Sequence, residues 1–242
     1  MKKWTQPSGR AFRIYADMMQ QPHLLVAGAT GSGKSVVING IITTALYFNP
    51  NQIQFILIDP KRVELAEYRQ LPHVIGYASE PDTMPQALET ALNIVESRFQ
   101  AMQAAGLRMY QGSDIYVIID ELADLMTTQK RRVQPLLQRL AQIGRAARVH
   151  IIAATQCPLR EVIPTVIKVN FDARVALRTR SAQDSRNILG HTGCETLPRY
   201  GQGYYMSPDG EQLRQIPMYT DQERQKLIEH YTGRRHWWRR SA

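Results

Sequence analysis

A glycine-rich segment carries the clearest chemical signal in the chain. Residues 28–35, GATGSGKS, fit the pattern G-x-x-x-x-G-K-[ST] once. Glycines permit backbone angles that turn several N–H groups into one concavity, where phosphate oxygens can sit. In such a loop Lys34 reaches the β- and γ-phosphates, and the Ser35 hydroxyl holds Mg²⁺. The segment therefore predicts a site for a nucleoside triphosphate with Mg²⁺.

The local context agrees with this interpretation. An apolar run over 23–27 precedes the loop, and a helical pattern over 34–47 follows it. The helix adds the positive end of its dipole to the phosphate site. The residues predicted to bind the nucleotide are Gly28, Ala29, Thr30, Gly31, Ser32, Gly33, Lys34, Ser35 and Val36.

A second apolar run ends in two adjacent carboxylates. Residues 116–119 are apolar and lead into Asp120 and Glu121, which is the pattern of a Walker B strand. Asp120 is predicted to bind Mg²⁺, usually through water, and Glu121 to orient and deprotonate the attacking water. The alternative is that the two carboxylates cap the helix that follows.

Gln156 comes directly after another predicted strand. A polar amide at the carboxyl end of a parallel strand lies in the crevice where such sheets bind ligands. Gln156 could therefore sense the γ-phosphate and relay its state to the segment that follows. With Lys34, Asp120 and Glu121, it forms the catalytic set that these motifs predict.

Buried strands alternate with longer helical patterns along the chain. This alternation predicts an α/β fold with a largely parallel central sheet and helices on both faces. The predicted strands are 23–27, 53–58, 115–119, 149–154 and 173–177, with shorter ones near Tyr204 and Leu213 at the sheet edge. The predicted helices are 34–47, 84–105, 132–146 and 221–231.

Length and composition indicate one globular unit. With 242 residues, 43% of them hydrophobic, the chain is expected to form a single domain over 1–232. Residues 233–242, GRRHWWRRSA, form a basic and aromatic tail. The tail is either a frayed charged end or a contact for nucleic acid or a partner subunit, since Trp stacks on bases and Arg pairs with phosphate.

Charge and cysteine content narrow the functional classes. The formal net charge of +9 favours a polyanionic partner, or else reflects a solvated basic surface. No run reaches the roughly 18 apolar residues of a membrane helix, and the N-terminus lacks the apolar stretch of a signal peptide. The two cysteines have no neighbours at metal-ligand spacing, so we expect neither a zinc site nor a disulfide scaffold. A bacterial cytoplasmic location is the expectation.

Taken in order, these segments resemble the motor domain of the FtsK/SpoIIIE DNA translocases. The similarity runs from about Gly9 to about Met206. The segments that carry it are PHLLVAG at 22–28, IDPK at 58–61, DELADLM at 120–126, RLAQ at 139–142, GRAA at 144–147, His150, ATQ at 154–156, DSR at 184–186 and Ile188-Leu189. Together they are far more specific than a P-loop alone.

The resemblance implies a RecA-like P-loop ATPase that forms a homo-oligomeric ring, usually a hexamer, around double-stranded DNA. Arg145 matches the family's arginine finger, which reaches into the site of the neighbouring subunit. A guanidinium supplied in this way stabilises charge on the γ-phosphate in the transition state. The alternative for Arg145 is a cation that only complements the helix dipole.

DNA contacts in the family come from loops that face the pore of the ring. Lys168 and Arg186 match two such basic positions. Cys157 stands where the family usually has arginine, and Ala182 stands where it often has lysine. The nearby residues Arg160, Arg178 and Arg180 could compensate, because phosphate contacts need only cations in the right groove.

The sequence therefore predicts an ATP-hydrolysing motor that translocates double-stranded DNA. Full-length relatives carry membrane-spanning segments and further domains that we do not find here, so a motor of a mobile element or phage is one expectation. The first alternative is an FtsK-like protein-secretion ATPase. The second is an assembly factor that uses nucleotide as a switch, although a pure switch has little need of both Glu121 and Arg145.

Overall fold

An eight-stranded sheet with helices on both faces forms the centre of the molecule. The computed structural model describes residues 9–158 and 168–233. The strands are β1 His23–Ala27, β2 Ile53–Ile58, β3 Val74–Ala78, β4 Asp114–Ile119, β5 Val149–Thr155, β6 Ala173–Ala176, β7 Gln202–Ser207 and β8 Gly210–Gln215. The helices are α1 Gly9–Met19, α2 Lys34–Phe48, α3 Thr83–Ala105, α4 Leu122–Thr128, α5 Lys130–Ile143, α6 Ala182–Leu189 and α7 Asp221–Thr232.

The strands lie in the order β3-β2-β4-β5-β1-β6-β7-β8. The first six are parallel, and β7 and β8 add an antiparallel hairpin at one edge. The predicted α/β class, the parallel sheet and the edge position of the last two strands are confirmed. Because β1 lies between β5 and β6, the loop after β1 emerges at the centre of the sheet, where crossovers on either side leave a crevice.

Each central strand buries both of its faces. Leu24 and Val26 of β1 face the core beneath α1, α2 and α7, whereas Leu25 faces the core beneath α3, α4 and α5. Strands buried on both sides read as continuous apolar runs rather than as alternating ones. This burial fixes the strand ends and therefore the positions of the loops that follow them.

Several elements differ from the sequence prediction, which gave no bounds for α1, α4 and α6. The edge strand β3 was not predicted, because only one of its neighbours is a strand and Ile75 within it is 41% exposed. The helix predicted over 132–146 is α5, which begins at Lys130 and ends at Ile143. It stops there because the chain turns at Gly144, where a Cβ would lie 2.4 Å from the Val149 carbonyl oxygen.

Helix α7 ends at the start of the predicted tail. Thr220 and Glu223 form a capping box at its beginning, and Gly233 terminates it in a left-handed conformation. Residues 234–242, and with them the predicted role of the basic aromatic tail, lie outside the described residues. Within the described ranges, no helix combines the length and the apolar character needed to cross a bilayer.

Candidate active site

The loop between β1 and α2 has the conformation that its glycines permit. Gly31 and Gly33 have φ values of 71° and 103°, in the left-handed region. At Gly28 a Cβ would lie 2.6 Å from the Ser32 hydroxyl and 2.8 Å from the Leu177 side chain. Two of these glycines are therefore required by backbone angle and the third by close approach.

The N-terminus of α2 opens into this loop. Its N-cap is Gly33, no side chain in the described part of the chain caps it, and no acidic residue occupies the first turn. The first backbone N–H groups of a helix have no partner within the helix and carry its positive dipole end. The predicted phosphate site therefore coincides with an uncapped helix N-terminus.

Lys34 folds back over the loop that precedes it. Its Nζ donates hydrogen bonds to the carbonyl oxygens of Gly28 at 2.9 Å and Ala29 at 3.1 Å. Burial lowers the pKa of Lys34 to about 8, although the charges of Glu121 and Asp120 act in the opposite direction. The ammonium group is thus held at the centre of the loop by weak acceptors that phosphate oxygens can replace.

Asp120 ends the Walker B strand in a buried, acidic environment. Burial raises its pKa to about 7, and the charges of Glu64 and Asp59 add to this shift against the effect of Lys61. The side chain of Asp59 is fully buried, and its Oδ1 atom has no hydrogen-bond partner among the described residues. A cation at this position would relieve both effects.

The donor set fits Mg²⁺ held jointly with a nucleotide. Asp120 and Ser35 offer the oxygen ligands that Mg²⁺ prefers, and Mg²⁺ commonly takes one or two protein ligands together with substrate phosphates. Within the ranges that the structure covers, no group of three His, Cys, Asp or Glu side chains could hold a metal by itself. The protein therefore offers part of a coordination shell rather than a complete one.

Glu121 is nearly fully buried and held by three neighbours. Its Oε1 accepts hydrogen bonds from the Thr155 hydroxyl at 2.9 Å and the Gln156 backbone N–H at 3.0 Å. Its Oε2 pairs with Lys61 Nζ at 3.2 Å. Although Glu121 is the N-cap residue of α4, its side chain makes no capping hydrogen bond. The alternative role as a helix cap is wrong for this carboxylate.

Gln156 connects the end of β5 to the phosphate loop. Its side-chain carbonyl oxygen accepts a hydrogen bond from the Thr30 hydroxyl at 2.8 Å. Its backbone N–H binds Glu121, so one residue contacts both the loop and the Walker B carboxylate. The register of the sheet produces this arrangement, because Ala27 is paired with Thr155 and Ile119 with Ala153.

Sequence reasoning missed Lys61, Thr155 and Asp59 as members of this site. Lys61 and Asp59 follow β2, whose carboxyl end lies beside β4. The signal for both was present in the IDPK segment, where charged residues come directly after a buried strand. Nothing in the local sequence singles out Thr155, whose role depends on strand register.

The structure places Arg178 and Arg180 beside the phosphate loop. The backbone carbonyl of Arg178 accepts a hydrogen bond from the Ala29 N–H at 2.8 Å. Both arginines line a cavity of about 390 Å³ at the carboxyl end of β6. The remaining lining residues are Ala29, Thr30, Gly31, Ser32, Thr179, Glu195 and Arg199.

Lys168 and Arg186 lie together, away from that cavity lining. Lys168 Nζ donates a hydrogen bond to the backbone carbonyl of Asn187 at 2.7 Å, next to the exposed Arg186 on α6. Arg160, another residue of the predicted DNA set, lies outside the described residues. The five predicted DNA contacts therefore do not form one cluster.

Arg145 lies at the opposite end of the sheet from the phosphate loop. It is exposed in the turn between α5 and β5, before the amino end of β5. Residue Gln156 follows the other end of that strand, so the two are separated by about 20 Å, the length of the six steps of ~3.3 Å between the seven residues of β5. Arg145 cannot reach the nucleotide site of its own chain without refolding the turn.

The turn that carries Arg145 is firmly held. The guanidinium of Arg98, itself buried, donates to the backbone carbonyls of Ala147 at 2.7 Å and Arg148 at 3.2 Å. A Cβ at Gly144 would meet the carbonyl oxygens of Val149 and Leu140, so the chain passes too closely for another residue. The backbone of the turn is therefore firmly held, and the Arg145 side chain extends into solvent.

Comparison with known proteins gives a consistent result. The FtsK/SpoIIIE family model matches residues 7–116 and 109–159. The chain is 37% identical over 92% of its length to the DNA translocase SpoIIIE of Bacillus subtilis (strain 168). It is 40% identical over 89% of its length to the DNA translocase FtsK of Staphylococcus aureus (strain Mu50). It spans about 31% and 30%, respectively, of the length of these relatives.

Solved structures show the same fold. The conjugation coupling protein TcpA of pCW3, solved as a monomer with ATPγS, superposes with a TM-score of 0.77 at 23% identity, over 88% of this chain and 66% of TcpA. The cytoplasmic domain of the Thermomonospora curvata type VII secretion ATPase EccC gives a TM-score of 0.74 at 21% identity, over 88% and 28%. At these identities the likeness establishes the architecture alone.

Proposed function

The chain belongs to the FtsK/SpoIIIE family, and from this premise we propose that it hydrolyses ATP to translocate double-stranded DNA. The single observation that carries the proposal is the convergence of Lys34, Asp120, Glu121 and Gln156 around an uncapped helix N-terminus. The two compared relatives, which are named as DNA translocases, are 37% and 40% identical to this chain. They support DNA as the proposed substrate.

Nucleotide binding begins with an exchange of hydrogen bonds. The backbone N–H groups of the loop and of the first turn of α2 receive the phosphate oxygens. Lys34 gives up the carbonyls of Gly28 and Ala29 and pairs with the β- and γ-phosphates. Ser35 and Asp120 would hold Mg²⁺, which would neutralise phosphate charge.

Glu121 then serves as the group that orients and deprotonates water. In the structure its carboxylate is occupied by Lys61, Thr155 and the backbone of Gln156. A γ-phosphate beside Thr30 competes for the hydroxyl that binds Gln156, and the shift of Gln156 loosens one of the contacts to Glu121. Gln156 thereby acts as the sensor of the γ-phosphate, and Lys61 and Thr155 act as positioning residues.

Arg145 completes the site of a neighbouring copy. Arg145 lies too far from its own phosphate loop to touch the nucleotide there, so it can do so only in a neighbouring copy. This favours a homo-oligomeric ring, which by family resemblance is a hexamer. Residues 1–232 act in this proposal as one ATPase domain, with 233–242 as a tail.

DNA binding is assigned to the basic residues outside the phosphate-loop cavity. Lys168 and Arg186 lie close together through the bond from Lys168 to Asn187, and a net charge of +9 favours a polyanion over a polypeptide. Arg160 stays in this set as a prediction. Arg178 and Arg180 leave it, because their position against the phosphate loop suits the nucleotide.

The test is the ATPase rate with and without linear duplex DNA, across a salt series. We expect strong stimulation that fades as salt rises, because counterion release drives phosphate contacts. Lys34→Ala is the inactive reference, and Lys168→Ala with Arg186→Ala should weaken DNA binding and flatten its salt dependence. Stimulation by a denatured polypeptide instead of DNA would favour a secretion motor, and absence of turnover in every condition would favour a nucleotide switch.

A further inference from the structure

Most of the large apolar side chains that stay exposed in the described ranges lie at the two ends of the sheet. Those at the carboxyl end follow β2, precede β7 or follow β8, and they are Val63, Tyr200 and Met218. Those at the amino end close α2 or precede β4 or β6, and they are Phe48, Met109 and Val169. Exposed apolar groups that collect on particular faces indicate contacts with another protein.

The amino end of the sheet also has a recess. A cavity of about 490 Å³ opens there beside Arg145, lined by the first residues of β2 and β4 and by parts of α1 and α2. Ile53 and Tyr116 in its lining are buried, whereas Met109 is 54% exposed. The cavity therefore combines an apolar lining with the arginine that is proposed to act in a second copy.

Val63 is the most exposed of the apolar side chains at the carboxyl end, at 70%. The loop that carries it is held on both sides, because Lys61 pairs with Glu121 at 3.2 Å and Leu65 is fully buried beneath α1, α2 and α7. Arg62 has a φ value of 58°, in the left-handed region that residues other than glycine rarely adopt. The loop thus presents an apolar side chain to solvent from a fixed position beside the Walker B carboxylates.

The proposed role of Arg145 in trans determines which of these groups meet. It requires the amino end of one sheet to face the carboxyl end of the next, with Arg145, before β5, opposite the nucleotide. From that contact the cavity extends toward β4 and β2, and Val63 follows β2, so both are displaced in the same direction along the sheet. Both also lie on the face that α1 and α2 cover. Tyr200 and Met218 lie beside β7 and β8, in the other direction.

The charges of the two ends complement each other. The cavity lining contains Arg145 and Arg148 against one carboxylate, Asp114. The carboxyl end of the sheet gathers four carboxylates around two lysines, namely Asp59, Glu64, Asp120, Glu121, Lys34 and Lys61. Opposite charges on facing surfaces favour this orientation, and like charges disfavour the contact of two identical ends.

We propose that the Val63 loop of one copy docks into the amino-end cavity of the next copy, where Val63 packs against Met109 and the apolar lining. The contact joins two different patches of the same chain head to tail, so copies can be added until a ring closes. The inference rests on the proposed function, because it takes the direction of assembly from Arg145 in trans. It adds a docking contact outside the nucleotide site, two residues from the lysine that binds Glu121.

Cross-linking tests the pairing of the two patches. A chain with both Val63→Cys and Met109→Cys, treated with a short bis-maleimide in the presence of ATPγS and duplex DNA, should give a ladder of multimers, because every chain carries both patches. Each single variant should stay at the background of the unsubstituted chain, in which Cys157 is half-buried and Cys194 is buried. A cross-linked dimer from either single variant would show that identical ends meet and would overturn the proposal.

Charge substitution measures the strength of the contact. Val63→Asp should weaken assembly at least about tenfold in sedimentation velocity, since burial of one valine side chain contributes roughly that factor, and should leave ATP binding unchanged. Met109→Lys should act similarly, and the double variant should recover part of the loss because the new charges face each other. Leu213→Asp is the matched control, since Leu213 is 53% exposed but lies on the edge strand β8, and it should assemble normally.

The outcomes separate this inference from the proposed function. If Arg145→Ala and Lys34→Ala chains complement each other with DNA, but Val63→Asp assembles normally and the double-cysteine chain gives no ladder, the docking contact is wrong and the proposed function stands. If the unsubstituted chain neither assembles nor hydrolyses ATP in the presence of DNA, both proposals fail.

Discussion

The two ends of the parallel sheet shift the pKa values of their aspartates, Asp120 and Asp114, in opposite directions. At the carboxyl end, burial and neighbouring carboxylates raise the pKa of Asp120 to about 7. At the amino end Asp114 is also largely buried, yet hydrogen bonds from His150 and Arg148 outweigh that burial and lower its pKa. One carboxylate is costly in its ionised form, and the other is stabilised in it.

The carboxyl end is therefore a site whose buried charges need a ligand, whereas Asp114 at the amino end is already paired within the chain. Asp114 has its partners within the chain, with Arg148 Nε at 2.9 Å and His150 Nε2 at 3.0 Å. Asp120 and the unsatisfied oxygen of Asp59 obtain comparable stabilisation only when a cation arrives. The amino end instead offers Arg145, a cation that finds no acceptor among the described residues. The carboxyl end therefore lacks a cation, whereas the amino end presents one, which in the proposed trans arrangement would serve the site of a second copy.

The largest expected effect comes from removing that cation. Arg145→Ala should lower DNA-stimulated kcat by about 10³-fold or more, as loss of an arginine finger does. Arg108→Ala, which removes an exposed arginine from the loop before β4 at the same end of the sheet, is the control and should retain activity. Mixtures of Arg145→Ala with Lys34→Ala chains should recover part of the rate. Full activity of Arg145→Ala would show that Arg145 supplies no group to the nucleotide site of another copy.

Substitution of the buried base should come next. Glu121→Gln should bind ATP with nearly unchanged affinity but hydrolyse it about 10²- to 10⁴-fold more slowly, because the amide cannot accept the proton of water. Single-turnover kinetics beside equilibrium binding separates the two effects. A variant that turns over at the normal rate would show that Glu121 stays a structural partner of Lys61.

The amino end can be tested through stability. Asp114→Asn should lower the free energy of unfolding by about 2 kcal/mol at pH 7, since Arg148 and His150 lose their anionic partner and one of its two acceptor oxygens while staying partly buried. The contribution of an aspartate with a lowered pKa is present above the ordinary range near ~4 and is lost as the pH falls through the folded pKa. Denaturant titrations of both proteins should therefore converge in acid.

The smallest effect has the opposite sign. In EDTA at pH 8, Asp120→Asn should raise the free energy of unfolding by about 1 kcal/mol, because it removes a buried charge that the site does not fully compensate. Since the pKa of Asp120 is raised to about 7, its cost grows as the pH rises from ~4 to 7. The gain should shrink toward pH 4, and a destabilised variant at pH 8 would show that Asp120 is compensated without a ligand.

Sequence reasoning identified residues whose roles follow from local order. Lys34, Asp120 and Gln156 each follow a strand or open a helix, so their meeting at one sheet edge is a consequence of parallel topology. Thr155 became visible only with strand register, which depends on packing far along the chain. The same limit applies to the position of Arg178, whose backbone carbonyl the structure places against the phosphate loop.

The rigid turn before β5 gives the proposed ring a way to time its cycle. Because Arg98 and Gly144 hold the backbone beside Arg145, only the side chain of Arg145 is free to follow a neighbour that moves away. Hydrolysis in one copy then depends on how far the adjacent copy has rotated, to within the ~1 Å that catalytic positioning tolerates. In such a ring, the spacing of the subunits would set the order in which the sites hydrolyse ATP. No separate signal would need to pass between them.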